Sequence, residues 1–265
     1  MYRGFNLEIK DKIDGDDYLD TGKSIEKDLE DNFKERIEDF VGYNDIINGN
    51  EVIKEWFPVI ESDVFLSHSH IDKEKALYLA GYLKNNFGLK TFIDSSVWGY
   101  SDVLLKLLDD KFCLNENNNT YSYISRNYST SHVHLMLKSA LDKMIDKCEA
   151  IFFLNTPNSV SIDNSVEQKT KSPWIFSEIA TTQIIRKNTP KRLKKETRLF
   201  STESKLEMNE NTKNRLQVEY ELELNHLTRL DLYDLKLWKN EFKYSYKNAL
   251  DVLYSKHPID RKFLI

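Results

Sequence analysis

The chain has 265 residues, of which 40% are hydrophobic and 31% charged, enough apolar side chains for one large domain with a sizeable core. The formal net charge of -5 argues against a general nucleic-acid or membrane-surface binder. Two distant cysteines, Cys113 and Cys148, give no disulfide framework, and no apolar run approaches a membrane span, so we expect a cytoplasmic protein.

The N-terminal sixty residues are predicted to be helical. Residues 24–41 place apolar side chains at helical spacing, with charged residues between them: Ile25, Leu29, Phe33, Ile37 and Phe40. A second, shorter helix is expected to end at Pro58. We therefore interpret residues 1–62 as a helical extension whose apolar faces need a partner surface.

From Asp63 onward the pattern alternates between strands and helices. The predicted strands are 63–70, which ends in small and polar residues, 89–94 and 150–156, and the last lacks polar alternation, which is typical of a central strand covered on both faces. Predicted helices cover 72–88, 101–112 and 131–147, and a further helix opens at Ser172 and Pro173. This order predicts a parallel sheet with helices on both faces.

The remaining chain is divided by two polar inserts and a change of periodicity. Residues 115–131 and 157–171 are polar inserts, and residues 187–215 are basic and predicted to be loop-rich. Strict alternation over 216–224 predicts a half-buried strand, and apolar spacing over 238–256 predicts a closing helix. We expect a main domain over 63–235 and a C-terminal helix within 236–265 that packs on it.

Ligands of open parallel sheets bind beyond the carboxyl ends of the strands. The three predicted strand ends carry polar and aromatic residues: Ser67, His68, Ser69, His70 and Asp72; Asp94, Ser95, Ser96 and Trp98; Asn155, Thr156 and Asn158. Trp174 and Glu178 lie four residues apart and share one face of the following helix. Helix capping, core packing and solvation are the structural alternatives for these residues.

Several kinds of site are not expected. Histidines occur in two close pairs, His68 with His70 and His132 with His134, but residues two apart diverge on a helix, and no cysteine pair supports zinc, so no metal site is predicted. The chain lacks a P-loop and a G-x-G-x-x-G fingerprint, so a dinucleotide redox cofactor is not expected. It also lacks a G-x-S-x-G nucleophile elbow.

Four stretches resemble the conserved boxes of Toll/interleukin-1 receptor (TIR) domains. They are "DVFLSHSHIDKEKA", "FGLKTFIDSSVWG", "CEAIFFLNTPNS" and "SPWIFSEI", and together they cover about residues 63–188. The resemblance implies a flavodoxin-like α/β fold with N- and C-terminal extensions. Two features depart from the family: Ile175 replaces the usual cysteine after the tryptophan, and the insert 157–171 precedes the last box.

In NAD-cleaving TIR members, the glutamate of that last box is catalytic, and it maps onto Glu178. The resemblance implies cleavage of the nicotinamide–ribose bond, with NAD as substrate and no separate cofactor. Trp98 is expected to stack on a base and Arg126 to pair with the pyrophosphate. The expected substrate-binding residues are Phe65, Ser67, His68, His70, Asp94, Trp98, Arg126, Asn155 and Trp174.

The subgroup with "SHSH", "FIDSSVWG" and "RNYSTSHVH" resembles bacterial anti-phage defence proteins of the Thoeris kind. This implies an ADP-ribose-derived signal, a homo-oligomer, a phage-derived trigger and a separate effector protein that senses the product, with neither nucleic acid nor membrane as partner. The acceptor stays open: water gives ADP-ribose, an internal nucleophile a cyclic form, another molecule a conjugate. Two alternatives remain: a non-catalytic TIR adaptor acting through protein contacts, and an enzyme similar to nucleoside deoxyribosyltransferases.

Overall fold

The computed structural model describes residues 1–9, 18–30, 46–115, 120–162, 168–193 and 218–258. In chain order, the strands within these residues are β1 (Arg3–Glu8), β2 (Val64–Ser67), β3 (Thr91–Ile93), β4 (Ala150–Asn155), β5 (Ser161–Ile162), β6 (Gln168–Thr170), β7 (Tyr220–Glu221) and β8 (Thr228–Asp231). The helices are α1 (Tyr18–Glu30), α2 (Gly49–Trp56), α3 (Lys73–Phe87), α4 (Ser95–Phe112), α5 (Tyr123–Lys147), α6 (Pro173–Ile184), α7 (Leu232–Phe242) and α8 (Ala249–Lys256).

Five of the described strands form one parallel sheet in the order β3-β2-β4-β1-β8, with the helices packed around it. Every residue of β4 except the last is fully buried, as expected for a central strand that is covered on both faces. The predicted flavodoxin-like α/β class is therefore confirmed. Because all five strands run the same way, their carboxyl ends meet at one edge of the sheet.

The prediction that the N-terminal segment is purely helical is wrong, because this segment also contains β1. This strand pairs in parallel with β4 on one side and β8 on the other. Its apolar pattern is interrupted by two buried polar residues, Arg3 and Asn6. The Arg3 guanidinium donates to the Thr228 hydroxyl and to the His257 carbonyl, each at 2.7 Å. The domain boundaries at 62 and 235 stay predictions, although β1 belongs to the same sheet as β2 to β4.

The predicted strand over 216–224 is wrong in extent. Residues 216 and 217 lie outside the described residues, and the part with strand pairing is β7, which adds to β6 in an antiparallel three-stranded sheet. Leu222 and Leu224 are buried after β7 has ended, so their alternation reflects packing and not a longer ladder. The main sheet ends at β8 on the side of β1, and β8 follows a few residues after β7.

Several helix boundaries also differ. Helix α4 begins at Ser95 and not near residue 101, because the Asp94 carboxylate accepts from the Ser95 amide at 2.7 Å. Helix α5 begins at Tyr123, within the polar insert 115–131. The closing helix is two helices, α7 and α8, since Asn248 starts α8 by accepting from the Leu250 amide. Predicted residues 31–41 of the first helix lie outside the described residues.

Other boundaries are confirmed. Helix α2 ends before Pro58, and α3 ends at Gly88, whose positive φ of 69° suits glycine. Helix α6 begins at Pro173 after a Ser172 cap that accepts from the Ile175 amide. Within the described ranges, we find no helix with the length and apolarity to span a bilayer.

Candidate active site

A cleft of about 630 Å³ opens at the carboxyl edge of the main sheet. Its walls come from the 3-10 turn after β2, the first turns of α4 and α6, and one residue of α5. The residues that define these walls are His70, Ser95, Trp98, His134, Ser172 and Trp174. The volume falls in the range of small-molecule sites. The sequence prediction that strand ends and the Trp174 helix meet at one rim agrees with this arrangement.

Two tryptophans form aromatic walls of the cleft. The Trp98 ring stacks on His68 with centroids 5.8 Å apart and tilts against His70 at 5.7 Å. The Trp174 ring meets His134 edge-on at 5.7 Å. Both tryptophans are partly exposed, so the cleft presents flat apolar faces that suit an aromatic ligand.

His68 and Asp94 form an ion pair that is fully buried beside the cleft. Parallel pairing of β2 with β3 sets Leu66 opposite Ile93, so the residues that follow the two strands are neighbours. The His68 Nδ1 atom lies 2.6 Å from Asp94 Oδ1, and the exposed fraction of both side chains is 0%. Burial acts to lower the pKa of His68, but the Asp94 carboxylate outweighs it and the pKa is raised.

Glu178 lies one helical turn beyond Trp174 on α6, and only 2% of it is exposed. Neither carboxyl oxygen has a hydrogen-bond partner among the described residues. Burial raises the pKa of Glu178 well above its ordinary value, and the Asp94 charge adds to this rise. The Ser67 hydroxyl faces the carboxyl and acts in the opposite direction, although it makes no hydrogen bond of normal geometry.

A buried carboxyl without partners is unusual, because its free energy of desolvation is not offset by hydrogen bonds. Such groups, with a pKa raised by burial and a nearby charge, concentrate at functional sites. Glu178 does not itself line the cleft, whereas Trp174 on the same helix and Ser95 next to Asp94 do. The carboxyl therefore lies behind the cleft wall, among Ser67 and Asp94.

Seven of the ten residues predicted for the site lie together at this edge: Ser67, His68, His70, Asp94, Trp98, Trp174 and Glu178. Three lie elsewhere. Phe65 is a core residue whose ring packs on Phe92 at 5.5 Å. Arg126 is in the first turn of α5, where its Nε donates to Asp109 at 2.8 Å. Asn155 ends β4 beside Glu8 and does not line the cleft.

A polar network ties the loop after β4 to the turn after β2. Asp72, which is 2% exposed, accepts from the Thr156 hydroxyl, from Asn158 Nδ2 at 3.0 Å and from Lys75 Nζ at 2.8 Å. Asn158 also lines the cleft. The sequence marked these polar residues at the strand ends but not their pairing, which depends on the distance between two loops.

Cleft residues that the sequence did not indicate include Lys73, His134 and Lys171. The two lysines are half-exposed, and each has an acidic neighbour: Lys73 with Glu26 at 2.9 Å, Lys171 with Glu219 at 3.5 Å. Position alone could have pointed to Lys171, which precedes the Ser172 cap. His134 could not be found, because nothing in the sequence pairs α5 with α6.

The comparisons with known proteins return nothing that adds to this geometry. No protein-family model matches the chain, and neither the curated proteins nor the solved structures include a significant match. In the parts of the chain that the structure describes, no group of three or more His, Cys, Asp or Glu is arranged to hold a metal ion.

Proposed function

We propose that this protein is a TIR-type enzyme that cleaves NAD at the nicotinamide–ribose bond, with Glu178 as the catalytic residue. The observation that carries the proposal is the buried, unpartnered Glu178 carboxyl behind a cleft with two tryptophan walls. The resemblance of four sequence boxes to TIR domains supplies the reaction. The position of Trp174 and Glu178 on the same face of α6 supports it.

The chemistry needs one carboxylate. Nicotinamide leaves as a neutral base from a cationic pyridinium, so no general acid has to protonate it. The ribose develops oxocarbenium character, as in glycoside hydrolysis, and a carboxylate near the anomeric carbon stabilises that positive charge. Glu178 has no competing hydrogen-bond partner among the described residues, and in this proposal the cleft wall in front of it moves when substrate binds, so that the carboxylate reaches the ribose. A cation that enters the cleft favours its ionised form.

The cleft supplies groups for the rest of a dinucleotide. Trp98 and Trp174 offer faces for aromatic bases, and a cationic pyridinium gains further attraction over an indole ring. Ser95 Oγ and Trp98 Nε1 are buried atoms of residues that line the cleft, and neither has a hydrogen-bond partner among the described residues. Lys73 and Lys171 are the cationic side chains of the cleft and suit a diphosphate.

The same resemblance supports a wider role in bacterial anti-phage immunity. In this proposal the cytoplasmic enzyme works as a homo-oligomer, responds to a phage-derived trigger and releases an ADP-ribose-derived signal to a separate effector protein. Water, an internal nucleophile or a second molecule can accept the ribosyl group. Mass spectrometry of the product identifies the acceptor.

The test compares the parent with Glu178→Gln. We expect the parent to release nicotinamide from NAD at high protein concentration and the variant to lose at least about 100-fold in rate. Glu221→Gln is the matched control, because Glu221 is exposed on β7. Circular dichroism checks that all three fold alike, and chromatography quantifies nicotinamide.

Three outcomes count against the proposal. Equal turnover by Glu178→Gln and the parent removes the catalytic assignment. Absence of turnover in the concentrated and in the oligomeric parent favours a non-catalytic adaptor. Release of bases from deoxynucleosides, without NAD cleavage, favours a reaction of the deoxyribosyltransferase type.

A further inference from the structure

Asp72 stands at the cap position of α3 but does not cap that helix. It ends the 3-10 turn His70–Asp72 and directly precedes Lys73, the first residue of α3. An aspartate at this position commonly accepts a hydrogen bond from a free backbone N–H group of the first helical turn. The first turn of α3 lies wholly within the described residues, and its backbone donates no hydrogen bond to the Asp72 side chain. Only 2% of Asp72 is exposed, so the buried carboxylate needs other partners.

Both carboxylate oxygens of Asp72 accept hydrogen bonds from side chains. Oδ2 accepts from the Thr156 hydroxyl, and Oδ1 accepts from Asn158 Nδ2 at 3.0 Å and from Lys75 Nζ at 2.8 Å. Burial acts to raise the pKa of Asp72, but these hydrogen bonds outweigh it and the pKa is lowered. Asp72 is therefore an anion at neutral pH, and two of these three partners belong to the loop after β4.

The loop after β4 is a tight turn that holds Asn158 at the cleft. The Thr156 carbonyl accepts from the Ser159 backbone amide at 3.0 Å, and the Thr156 hydroxyl oxygen accepts from the Asn158 backbone amide at 3.1 Å. The Thr156 backbone amide in turn donates to the Ser159 hydroxyl at 2.8 Å. Thr156 and Ser159 are buried, whereas Asn158 is exposed and lines the cleft. The turn therefore presents the Asn158 side chain to a ligand.

The hydrogen bond to Asp72 determines which way the Asn158 side-chain amide points. An ionised carboxylate can only accept, so the amide nitrogen of Asn158 faces Asp72 and its carbonyl oxygen is directed away. Within the described ranges, this is the one hydrogen bond that the Asn158 side chain makes. Because Asp72 is buried and Asn158 is exposed at the cleft, the Oδ1 atom is the acceptor left for a ligand.

We propose that Asn158 is a ligand-binding residue whose Oδ1 atom accepts a hydrogen bond from a neutral O–H or N–H group of the ligand, and that Asp72 is the positioning residue that turns this oxygen to the cleft. In NAD the groups of this chemistry are the ribose hydroxyls, the carboxamide and the adenine amino group. The choice of NAD as ligand rests on the proposed function. The orientation of the Asn158 amide does not.

The first experiment identifies the donor that Asn158 serves. Calorimetry measures Kd for NAD in Glu178→Gln, which prevents turnover, and in the same protein with Asn158→Ala added. We expect Asn158→Ala to raise Kd about three- to tenfold. Three analogues each lack one kind of donor: deoxyribose replaces a ribose, acetylpyridine replaces nicotinamide, or hypoxanthine replaces adenine. One of them is expected to bind the protein with and without Asn158→Ala equally well.

Asn188→Ala is the matched control, because Asn188 Nδ2 also donates to a carboxylate, that of Asp146 at 3.2 Å, but does not line the cleft. It should leave Kd unchanged within about twofold. An unchanged Kd in Asn158→Ala, or an equal loss of affinity for NAD and all three analogues, overturns the assignment of Asn158 as a ligand-binding residue.

An exchange of the two side chains tests the positioning role of Asp72. Asp72→Asn removes the group that only accepts, so the Asn158 amide can turn its nitrogen to the cleft, and Kd for NAD should rise about as much as in Asn158→Ala. Asp72→Asn with Asn158→Asp restores the pair with the roles exchanged, since the new amide donates to the new carboxylate and leaves one carboxylate oxygen for the ligand. This double variant should bind NAD more tightly than Asp72→Asn alone. A purely structural role of Asp72 predicts no such rescue, and its absence overturns the positioning role.

A measurement without ligand separates this inference from the proposed function. Nitrogen-15 NMR of the full chain follows the two side-chain N–H groups of Asn158, with Asn158→Ala to assign them. In the parent they are expected to exchange with solvent at different rates, because one is held by a carboxylate and the other is not. Equal rates overturn the orientation by Asp72, even where Asp72→Asn does not fold. A parent that does not bind NAD refutes the proposed function and the ligand assignment, while the exchange rates still decide whether Asp72 orients Asn158.

Discussion

Gly22 of α1 and Gly81 of α3 let the two helices touch backbone to backbone. A Cβ atom on Gly81 would lie 1.8 Å from the Tyr18 carbonyl oxygen and 3.0 Å from the Gly22 amide nitrogen. A Cβ atom on Gly22 would lie 1.9 Å from the Leu77 carbonyl oxygen. Helix α3 follows the 3-10 turn at the cleft edge, so this contact packs α1 against the helix that continues from that turn.

Alanine at either glycine is expected to lower the free energy of unfolding by about 2–4 kcal/mol, because backbone atoms must separate to admit the methyl group. Urea denaturation measures the change. Gly99→Ala in α4 is the matched control, since a Cβ atom there meets nothing within 4 Å. Alanine has the higher helix propensity, so the control should be neutral or stabilising by up to about 1 kcal/mol. Equal effects at the three sites would disprove the close helix contact.

Replacement of Glu178 by Gln is expected to stabilise the protein at alkaline pH. Burial, aided by Asp94, raises the pKa of Glu178, so the folded state holds its proton over a range in which the unfolded state has released it. The protonated Glu178 carboxyl makes its full contribution to the free energy of unfolding below the ordinary glutamate pKa. This contribution is lost as pH rises through the raised pKa of the folded state. The variant should therefore exceed the parent by about 1 kcal/mol or more at pH 8 and match it near pH 4. A constant difference across this range contradicts the buried carboxyl.

His226 is expected to make the protein less stable in acid. Burial, together with the positive charge of Lys187, lowers the pKa of His226 to about 4, and its Nε2 lies 2.7 Å from the Thr182 hydroxyl. The unfolded histidine binds a proton near its ordinary pKa, so stability falls as pH drops from 6.5 towards 4. The loss is about 2 kcal/mol after allowance for partial exposure.

The measurement is the difference in free energy of unfolding between the parent and His226→Gln at each pH, which removes the contribution of other acids. That difference should shrink on acidification. A difference that stays level between pH 7 and pH 4 would show that the histidine is accessible to protons in the folded state.

Lys171, and not Arg126, is expected to contribute to NAD binding. Lys171 lines the cleft, whereas the Arg126 guanidinium is bound to Asp109 and lies over the Tyr121 ring, with its Cζ atom 5.4 Å from the ring centroid. Lys171→Ala should raise KM or Kd for NAD about five- to tenfold, the loss of one charge-assisted hydrogen bond. Arg126→Ala should leave both within about twofold. Calorimetric titration provides Kd. A larger increase in Kd for Arg126→Ala than for Lys171→Ala would support the sequence prediction that Arg126 pairs with the pyrophosphate.

The sequence predicts the parts of the fold that depend on local pattern. Strands β2, β3 and β4 are recognisable as short apolar runs, and α3 and α6 have clear start and stop residues. Strand β1 is not recognisable, because Arg3 and Asn6 break its pattern. Arg3 is tolerated in a buried strand since Thr228 and His257, both near the far end of the chain, accept its hydrogen bonds.

For the candidate site too, the sequence predicts the features that depend on local pattern and misses those that depend on distant partners. The spacing of Trp174 and Glu178 and the rule that strand ends share an edge are enough to gather most of the residues around the cleft. Arg126 was expected in a loop near the ligand, but Ser122 caps α5 four residues earlier, and Asp109 of α4 is within reach. Such side-chain partners depend on how two helices pack, which no local pattern indicates.

The position of β1 between β4 and β8 has a consequence for biosynthesis. Glu8 and Arg229, which form an ion pair at 2.7 Å across β1 and β8, are 221 positions apart along the chain. During translation the side of β1 that pairs with β8 therefore has no partner until the last quarter of the polypeptide has left the ribosome. Contacts this distant in sequence slow folding, and an open strand edge in the nascent chain is a template for aggregation.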